Sequence, residues 1–238
     1  MLTDFHSHIL PEIDDGSTGV EETIAMLRME AAQGIDCVVA TPHFDARSDN
    51  PDCFLQRRSA AQERLRKATE DRCDLPKIFS GAEVHYFSGM SDSHVLKQLT
   101  MGEGTCILIE MPPAPWTEGM YQELVQIWEK QGLTPVIAHI DRYLTPFYAH
   151  GMLSRLKEMP VLVQANASFF LKRSTALFAL RLLRQRRIHL IGSDCHNLTD
   201  RAPNLGNAVK VIERRLGEGA LEWLSAHETV VLPRNRRK

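Results

Sequence analysis

The chain lacks any apolar run close to the ~18 residues needed to cross a bilayer, so no membrane span is expected. Its start, Met1-Leu2-Thr3-Asp4-Phe5-His6, does not set a basic segment before a long apolar core. No signal peptide is therefore expected, and a cytoplasmic location fits. Cysteine is scarce: Cys37, Cys53, Cys73, Cys106 and Cys195 are odd in number, scattered and without CxxC spacing. That argues against a disulfide framework or a zinc ribbon and for a reducing compartment. Net charge is also small, −2 over 238 residues with 43% hydrophobic content, which excludes a disordered chain. No Pro-, Gly- or Ser-rich linker, low-complexity tract or internal repeat interrupts the sequence, so one domain over residues 1–238 is the simplest organisation.

The small net charge conceals an asymmetry. Residues 172–238 hold 14 of the 28 lysines and arginines but 6 of the 30 acidic residues. Solvated helix faces and a basic Arg236-Arg237-Lys238 tail account for this; a surface for an acidic partner is the sharper reading. Nucleic acid is not favoured, because no aromatic interleaving or reader motif accompanies the charge.

What the sequence has is alternation. Short Val- and Ile-rich runs fall at about Leu2–Phe5, Asp36–Ala40, Ile78–Ala82, Cys106–Ile109, Pro135–Ala138, Val161–Ala165 and Ile188–Ile191. Most lack strict two-residue alternation, as strands buried on both faces do. Amphipathic stretches separate them. The Thr18-Gly19-Val20-Glu21 pattern predicts a capping box opening a helix that closes at Gly34. Further helices are expected over Phe54 to about Arg72, Glu118–Lys130, Ser174–Arg187 and Ala208–Leu216. Repeated strand–helix alternation implies parallel pairing, in an open wound sheet or a closed α/β barrel.

The chain also has ten histidines, and polar residues cluster where the apolar runs end. The first run ends in His6-Ser7-His8, the second leads to His43, the third to Glu83, the fourth to Glu110, the fifth to His139, and the last to Asp194-Cys195-His196. The C-terminal ends of parallel strands are where such folds gather their chemistry. Two histidines two apart on a strand point to one face and can converge on one ion. Lone buried carboxylates at Glu83 and Glu110 would be costly, and divalent cations offset that cost. Asp14-Asp15-Gly16 adds oxygen donors at the same rim. Imidazole mixed with carboxylate and no thiolate indicates Mn, Fe or Zn rather than Ca. So many donors imply two or three ions, an arrangement suited to phosphate-ester hydrolysis. Arg142 and Arg201 stand beside these residues, and guanidinium suits a phosphate dianion, although each has an aspartate neighbour (Asp141, Asp200) to pair with. His85, His94, His150, His189 and His227 have no such placement and read as ordinary surface residues.

These motifs resemble the polymerase and histidinol phosphatase (PHP) family, in particular its branch of manganese-dependent bacterial tyrosine-protein phosphatases of capsular and exopolysaccharide synthesis. The carrying segments are DFHSHILPEIDDG at 4–16, ATPHF at 40–44, GAEV at 81–84, LIEMP at 108–112, IAHIDRY at 137–143, VQANAS at 163–168 and GSDCHN at 192–197. The resemblance implies a distorted (β/α)7 barrel with the metal site at the C-terminal rim of the strands. It implies one ion on His6, His8, Glu83 and Asp194, a second on Glu83, Glu110 and His139, and a third on Asp15, His43 and His196. Arg142 and Arg201 match the phosphate-contacting arginines, and Asp141 is expected to orient a neighbour rather than donate a proton. Mn²⁺ is the implied cofactor, with Fe or Zn as alternatives. The implied substrate is phosphotyrosine in a protein, such as a bacterial tyrosine kinase.

Two other readings stand beside this one: a small-molecule phosphatase of the histidinol-phosphate type, and a non-catalytic, metal-stabilised partner of a kinase complex. A third pattern, Cys195-x5-Arg201, matches the phosphate loop of cysteine-dependent phosphatases. It lacks glycine and carries Asp200 where phosphate would sit, so it is read as chance.

Overall fold

The computed structural model describes residues 2–144 and 149–232, so the Arg236–Lys238 tail and the His150 side chain lie outside it. Among the described residues there are nine strands: β1 (Thr3–Ser7), β2 (Cys37–Ala40), β3 (His43–Phe44), β4 (Lys77–Ser80), β5 (Glu83–His85), β6 (Cys106–Glu110), β7 (Thr134–Ile137), β8 (Leu162–Asn166) and β9 (Leu190–Gly192). The helices are α1 (Val20–Ala32), α2 (Pro51–Thr69), α3 (Glu118–Gln131), α4 (Ala149–Lys157), α5 (Ala167–Leu171), α6 (Ala176–Arg184), α7 (Leu205–Leu216) and α8 (Glu218–Val231).

Every named pairing is parallel, in the orders β1-β2-β4 and β3-β5-β6-β7-β8-β9. β3 continues β2 past Pro42, and β5 continues β4 past Gly81-Ala82. A proline lacks the N–H that a ladder needs, and it is the Pro42 carbonyl that accepts from Glu83 N. The seven apolar runs are therefore seven strand positions, with the second and third broken. A parallel bridge from Ser7 to Cys195 joins the two ends of this order, reinforced by bonds from His8 N to Cys195 O and Asp194 N to His6 O. The result is a distorted seven-position α/β barrel.

Alternate strand residues make two cores. Phe5, Val39, Leu108, Val136, Ala138 and Leu190 fill the interior, with Val231 and Leu232 of the C-terminal end packed against them. Residues of opposite parity, such as Val38, Ile107, Ile109, Ile137 and Val163, pack against the helices. Burying each such side chain contributes about 1.5–3 kcal/mol.

Helix bounds shift from those expected by up to three residues, as at the ends of α2, α6 and α7, and two helix starts have a clear local cause. α1 starts at Val20 with Gly19 before it, so Thr18 donates from N and Oγ1 to Glu22, at 2.8 and 2.6 Å, instead of entering a box with Glu21. Glu22 is the third helical residue, and its side chain is the one that reaches back. α2 starts at Pro51, three residues before the expected Phe54, because the Asn50 side chain caps Asp52 N and Cys53 N and proline suits the first helical position.

Candidate metal centre

The site sits where the strands end. The β1–β2 register slips between Asp4 and Ser7, and the Asp4 carboxylate accepts from His6 N at 3.1 Å. Such a slip moves side chains to the other face: Phe5 lies in the interior core, yet His6 and His8 place their Nε2 atoms 3.1 Å apart at the rim. Glu83 Oε2 lies 3.1 Å from His6 Nε2 and 3.3 Å from His8 Nε2, and Asp194 Oδ1 lies 3.6 Å from each. Glu83 Oε1 is 2.8 Å from His139 Nε2, which is 3.2 Å from Glu110 Oε1. On the other side, His43 Nε2 and His196 Nε2 lie 3.4 and 3.5 Å from Asp15 Oδ1. All nine donor residues named from the sequence thus fall in one connected cluster. His6, His8, His139, Glu83 and His196 are buried, while Asp15 is 64% exposed at the mouth.

Several imidazoles are held by the ring nitrogen that faces away from the cluster. His8 Nδ1 meets Asp14 Oδ2 at 2.8 Å, His6 Nδ1 meets Gln164 Oε1 at 3.3 Å, and His196 Nδ1 meets the Asp194 carbonyl at 3.0 Å. An acceptor at Nδ1 selects the tautomer whose Nε2 lone pair points inward, the arrangement of a cation ligand. The backbone is strained at the same place. His139 has φ +28° and Asp194 φ +55°, conformations that cost about 1–3 kcal/mol each and persist where surrounding structure imposes them.

The donors suit divalent cations by a specific test. His43 Nδ1 lies 3.1 Å from Glu83 Oε2, and Glu110 Oε2 lies 3.1 Å from His85 Nδ1. Yet His43 Nδ1, Glu110 Oε2 and His196 Nε2 are buried without a hydrogen-bond partner. Donors around one cation, at bond lengths of about 2.0–2.2 Å, stand roughly 3 Å from one another without bonding each other. Without cations the cluster holds its charge by protonation. Burial disfavours the charge on His8, but the hydrogen bond to Asp14 and the adjacent Glu83 outweigh it and push the imidazole up to about 10. Burial likewise opposes charge on His139, which Glu110 and Glu83 push up to about 9. Burial would raise Asp194, but His6 and His8 hold it down at about 2.

Residues 2–232 match the family described as "Capsular polysaccharide synthesis, CpsB/CapC". The chain belongs to this CpsB/CapC family. It is 28% identical over 229 residues to the tyrosine-protein phosphatase CpsB of Streptococcus agalactiae serotype III, covering 91% of this chain and 92% of that one. It is 29% identical over 244 residues to the tyrosine-protein phosphatase YwqE of Bacillus subtilis, covering 99% and 92%. A crystal structure from a study of YwqE and Streptococcus pneumoniae CpsB, described as unique metal-dependent tyrosine phosphatases, superposes with a TM-score of 0.84 at 26% identity, over 97% of this chain and 94% of that one.

In this CpsB/CapC chain both arginines reach over the cluster. Arg142 donates to Glu110 Oε1 at 3.0 Å and Asp194 Oδ2 at 2.7 Å, and Arg201 donates to Asp194 Oδ1 at 2.8 Å. Their partners are cluster carboxylates, not Asp141 or Asp200. Asp141 instead accepts from Asn166 N at 2.9 Å, and Asn166 Nδ2 donates to Asp194 at 2.9 Å. Cys195 is fully buried, and burial raises its thiol well above the ordinary range. That is the opposite of an activated nucleophile.

Besides Asn166, three residues escaped the sequence reading. His85 lies at the rim, 3.1 Å from Glu110 and with its ring 5.2 Å from that of His43. Its spacing two residues after Glu83 in β5 was the available signal. Asp14 was read only as one more oxygen at the rim, whereas it holds His8 and accepts from His43 N at 3.0 Å. Gln164 accepts from His139 N at 2.5 Å as well as facing His6; its segment VQANAS entered the resemblance, but the residue was given no role.

Proposed function

We propose that this chain is a metal-dependent protein-tyrosine phosphatase of capsular or exopolysaccharide synthesis, acting in the cytoplasm on a phosphotyrosine protein such as a bacterial tyrosine kinase. The observation that carries it is the convergence of imidazoles and carboxylates from six strand ends beneath two arginines, in a chain of the CpsB/CapC family. The name of its relatives supports the tyrosine substrate. Among the described residues no helix is long and apolar enough to cross a membrane.

His6, His8, Glu83 and Asp194 would hold one ion, Glu83, Glu110 and His139 a second, and Asp15, His43 and His196 a third, with Mn²⁺ favoured over Fe or Zn. When bound, the cations supply Lewis-acid chemistry: they neutralise charge on phosphoryl oxygens and make water more acidic. The protein's own groups do the rest. Arg142 and Arg201, 43% and 38% exposed, can exchange their carboxylate partners for phosphoryl oxygens and stabilise charge in the transition state. Asp14 and Gln164 hold His8 and His6 in the tautomer that presents Nε2. Asp141, bonded to the Asn166 amide, positions the Asn166–Asp194 contact. Phenolate leaves with a pKa of about 10, so the leaving group makes little demand for a proton donor.

The test is turnover by the Mn²⁺-loaded protein of a phosphotyrosine peptide and of histidinol phosphate, side by side. Preferential hydrolysis of the peptide is expected. Preference for histidinol phosphate would replace this reading with the small-molecule one, and turnover of neither would refute it.

A further inference from the structure

Behind the cluster, on the helix-facing side of β1, lie three polar side chains that are not among its nine donors. Asp4 on β1, Glu30 on α1 and Cys195 after β9 are each 0% exposed. One donor atom from each lies within 4.8 Å of the others. Asp4 Oδ1 is engaged, accepting from His6 N at 3.1 Å and Ser193 N at 2.9 Å. Asp4 Oδ2 and both carboxylate oxygens of Glu30 are buried with no N–H or hydroxyl donor, so through these oxygens the two carboxyl groups have only each other to bond. Glu30 shares its buried helix face with Met26 and Leu27. Two carboxyl groups in a water-excluded layer cost several kcal/mol for each uncompensated charge. Among the described residues no lysine, arginine or histidine forms an ion pair with either.

We propose that Asp4, Glu30 and Cys195 bind a structural divalent cation of the zinc class, separate from the rim cluster. One oxygen each from Asp4 and Glu30 and Cys195 Sγ make three converging donor atoms, and the second Glu30 oxygen would complete the four that a structural zinc takes. A sulfur among them disfavours calcium and magnesium, which take oxygen donors. The thiol releases its proton to solvent as the sulfur–metal bond forms, and the Asp4–Glu30 pair releases the one it shares, so the site gains two positive charges and loses two protons. The three ligands come from the strand, helix and post-strand segment that meet where β9 closes onto β1, so the ion fastens that seam. With no donor exposed, the ion is taken up as the chain folds and does not exchange from the native protein.

The test uses the full chain produced in zinc-supplemented medium and dialysed against a chelator while folded. Metal per chain is measured by mass spectrometry, then again after unfolding in guanidinium. One zinc per chain retained in the folded protein and released on unfolding is expected. Refolding with Co²⁺ should give thiolate-to-metal charge-transfer absorption, which an imidazole and carboxylate cluster cannot produce. Glu30→Gln and Cys195→Ser, each close to isosteric, should keep the circular-dichroism spectrum and lower the retained zinc at least tenfold; Cys195→Ser should also remove the absorption band. Wild-type protein with neither retained zinc nor the band overturns the proposal and leaves Asp4 and Glu30 sharing a proton. Undiminished retention in both variants overturns it equally. The rim cluster has no thiolate to give the band, and the variants are read against wild type with the rim donors intact, so neither result depends on whether the chain is a phosphatase.

Discussion

Replacing Asp14 by asparagine tests how the cluster holds its cations. Asp14 Oδ2 lies 2.8 Å from His8 Nδ1 and also accepts from His43 N at 3.0 Å, while Oδ1 accepts from Gly16 N at 3.0 Å. The side chain is 6% exposed. An asparagine of the same shape supplies one acceptor where three N–H groups need two. With its NH₂ toward Gly16 it faces a donor; with its NH₂ toward His8 and His43 it faces two. It also removes the charge that makes the His8 bond strong, roughly halving it. His8 then loses the partner that fixes its Nε2 lone pair toward Glu83. Losing such a support to a metal-ligating histidine costs about 10- to 100-fold in affinity, or roughly 1.4–2.7 kcal/mol at 1.36 kcal/mol per decade. Competition with a chelator of known Mn²⁺ affinity measures the change, with circular dichroism to establish that the variant is folded. Saturating Mn²⁺ should restore much of the lost phosphatase activity. A folded Asp14→Asn protein whose Mn²⁺ affinity is within twofold of wild type would refute the assigned role.

Further predictions concern protons, space and the arginines. In ion-free protein His8 and His139 stay protonated up to about 10 and about 9, against an ordinary 6.5. Both folded values are raised, so their stabilisation is complete below pH 6.5 and disappears as pH rises through 9 to 10. The chelated protein should lose thermal stability over that window. Cation binding must displace these protons, so calorimetry in buffers of different ionisation enthalpy should show net proton release at pH 7; no release would mean that His8 and His139 are already neutral in the ion-free protein. A Cβ at Gly192 would sit 2.4 Å from His6 Cβ and 2.9 Å from His6 N. Gly192→Ala should therefore destabilise by about 1–3 kcal/mol and weaken Mn²⁺ binding. Gly219→Ala, in α8 with nothing within 4 Å, should stabilise by about 0.5–1 kcal/mol and leave Mn²⁺ binding alone. Arg142→Lys keeps the charge but cannot span Glu110 and Asp194 as the fork does. It should lower kcat/KM on phosphotyrosine peptide at least tenfold with metal content unchanged, and a twofold effect would remove Arg142 from the phosphate-binding role.

The strand positions were legible because doubly buried parallel strands need continuous Val- and Ile-rich runs, as at Cys106–Ile109. The breaks were not, because β3 and β5 span two and three residues, too short for any periodicity. α8 was missed as well: its apolar residues other than Val231 are at most partly buried, and the Gly217 that separates it from α7 read as an end. Within the site, ligand-type residues at strand ends were visible from their chemistry. Gln164 and Asn166 were not, because an interior amide on β8 looks like any polar strand residue until the fold brings it under His139 and Asp194. The register slip beside Asp4 lies beyond sequence reading too, since it depends on which amide a carboxylate captures. His85 was within reach, two residues from Glu83 on one strand.

Asp194 is shared between uses that compete. In this structure its two oxygens face Arg142 and Arg201 on one side and His6 and His8 on the other. A cation drawing on this carboxylate weakens its hold on both guanidinium groups and leaves them readier to take a phosphate. Thermodynamic reciprocity then requires phosphate to tighten the cation by the same factor. Metal affinity measured in phosphate buffer and in its absence should differ, and inorganic phosphate, the product, would act as a retention signal for the cofactor between turnovers.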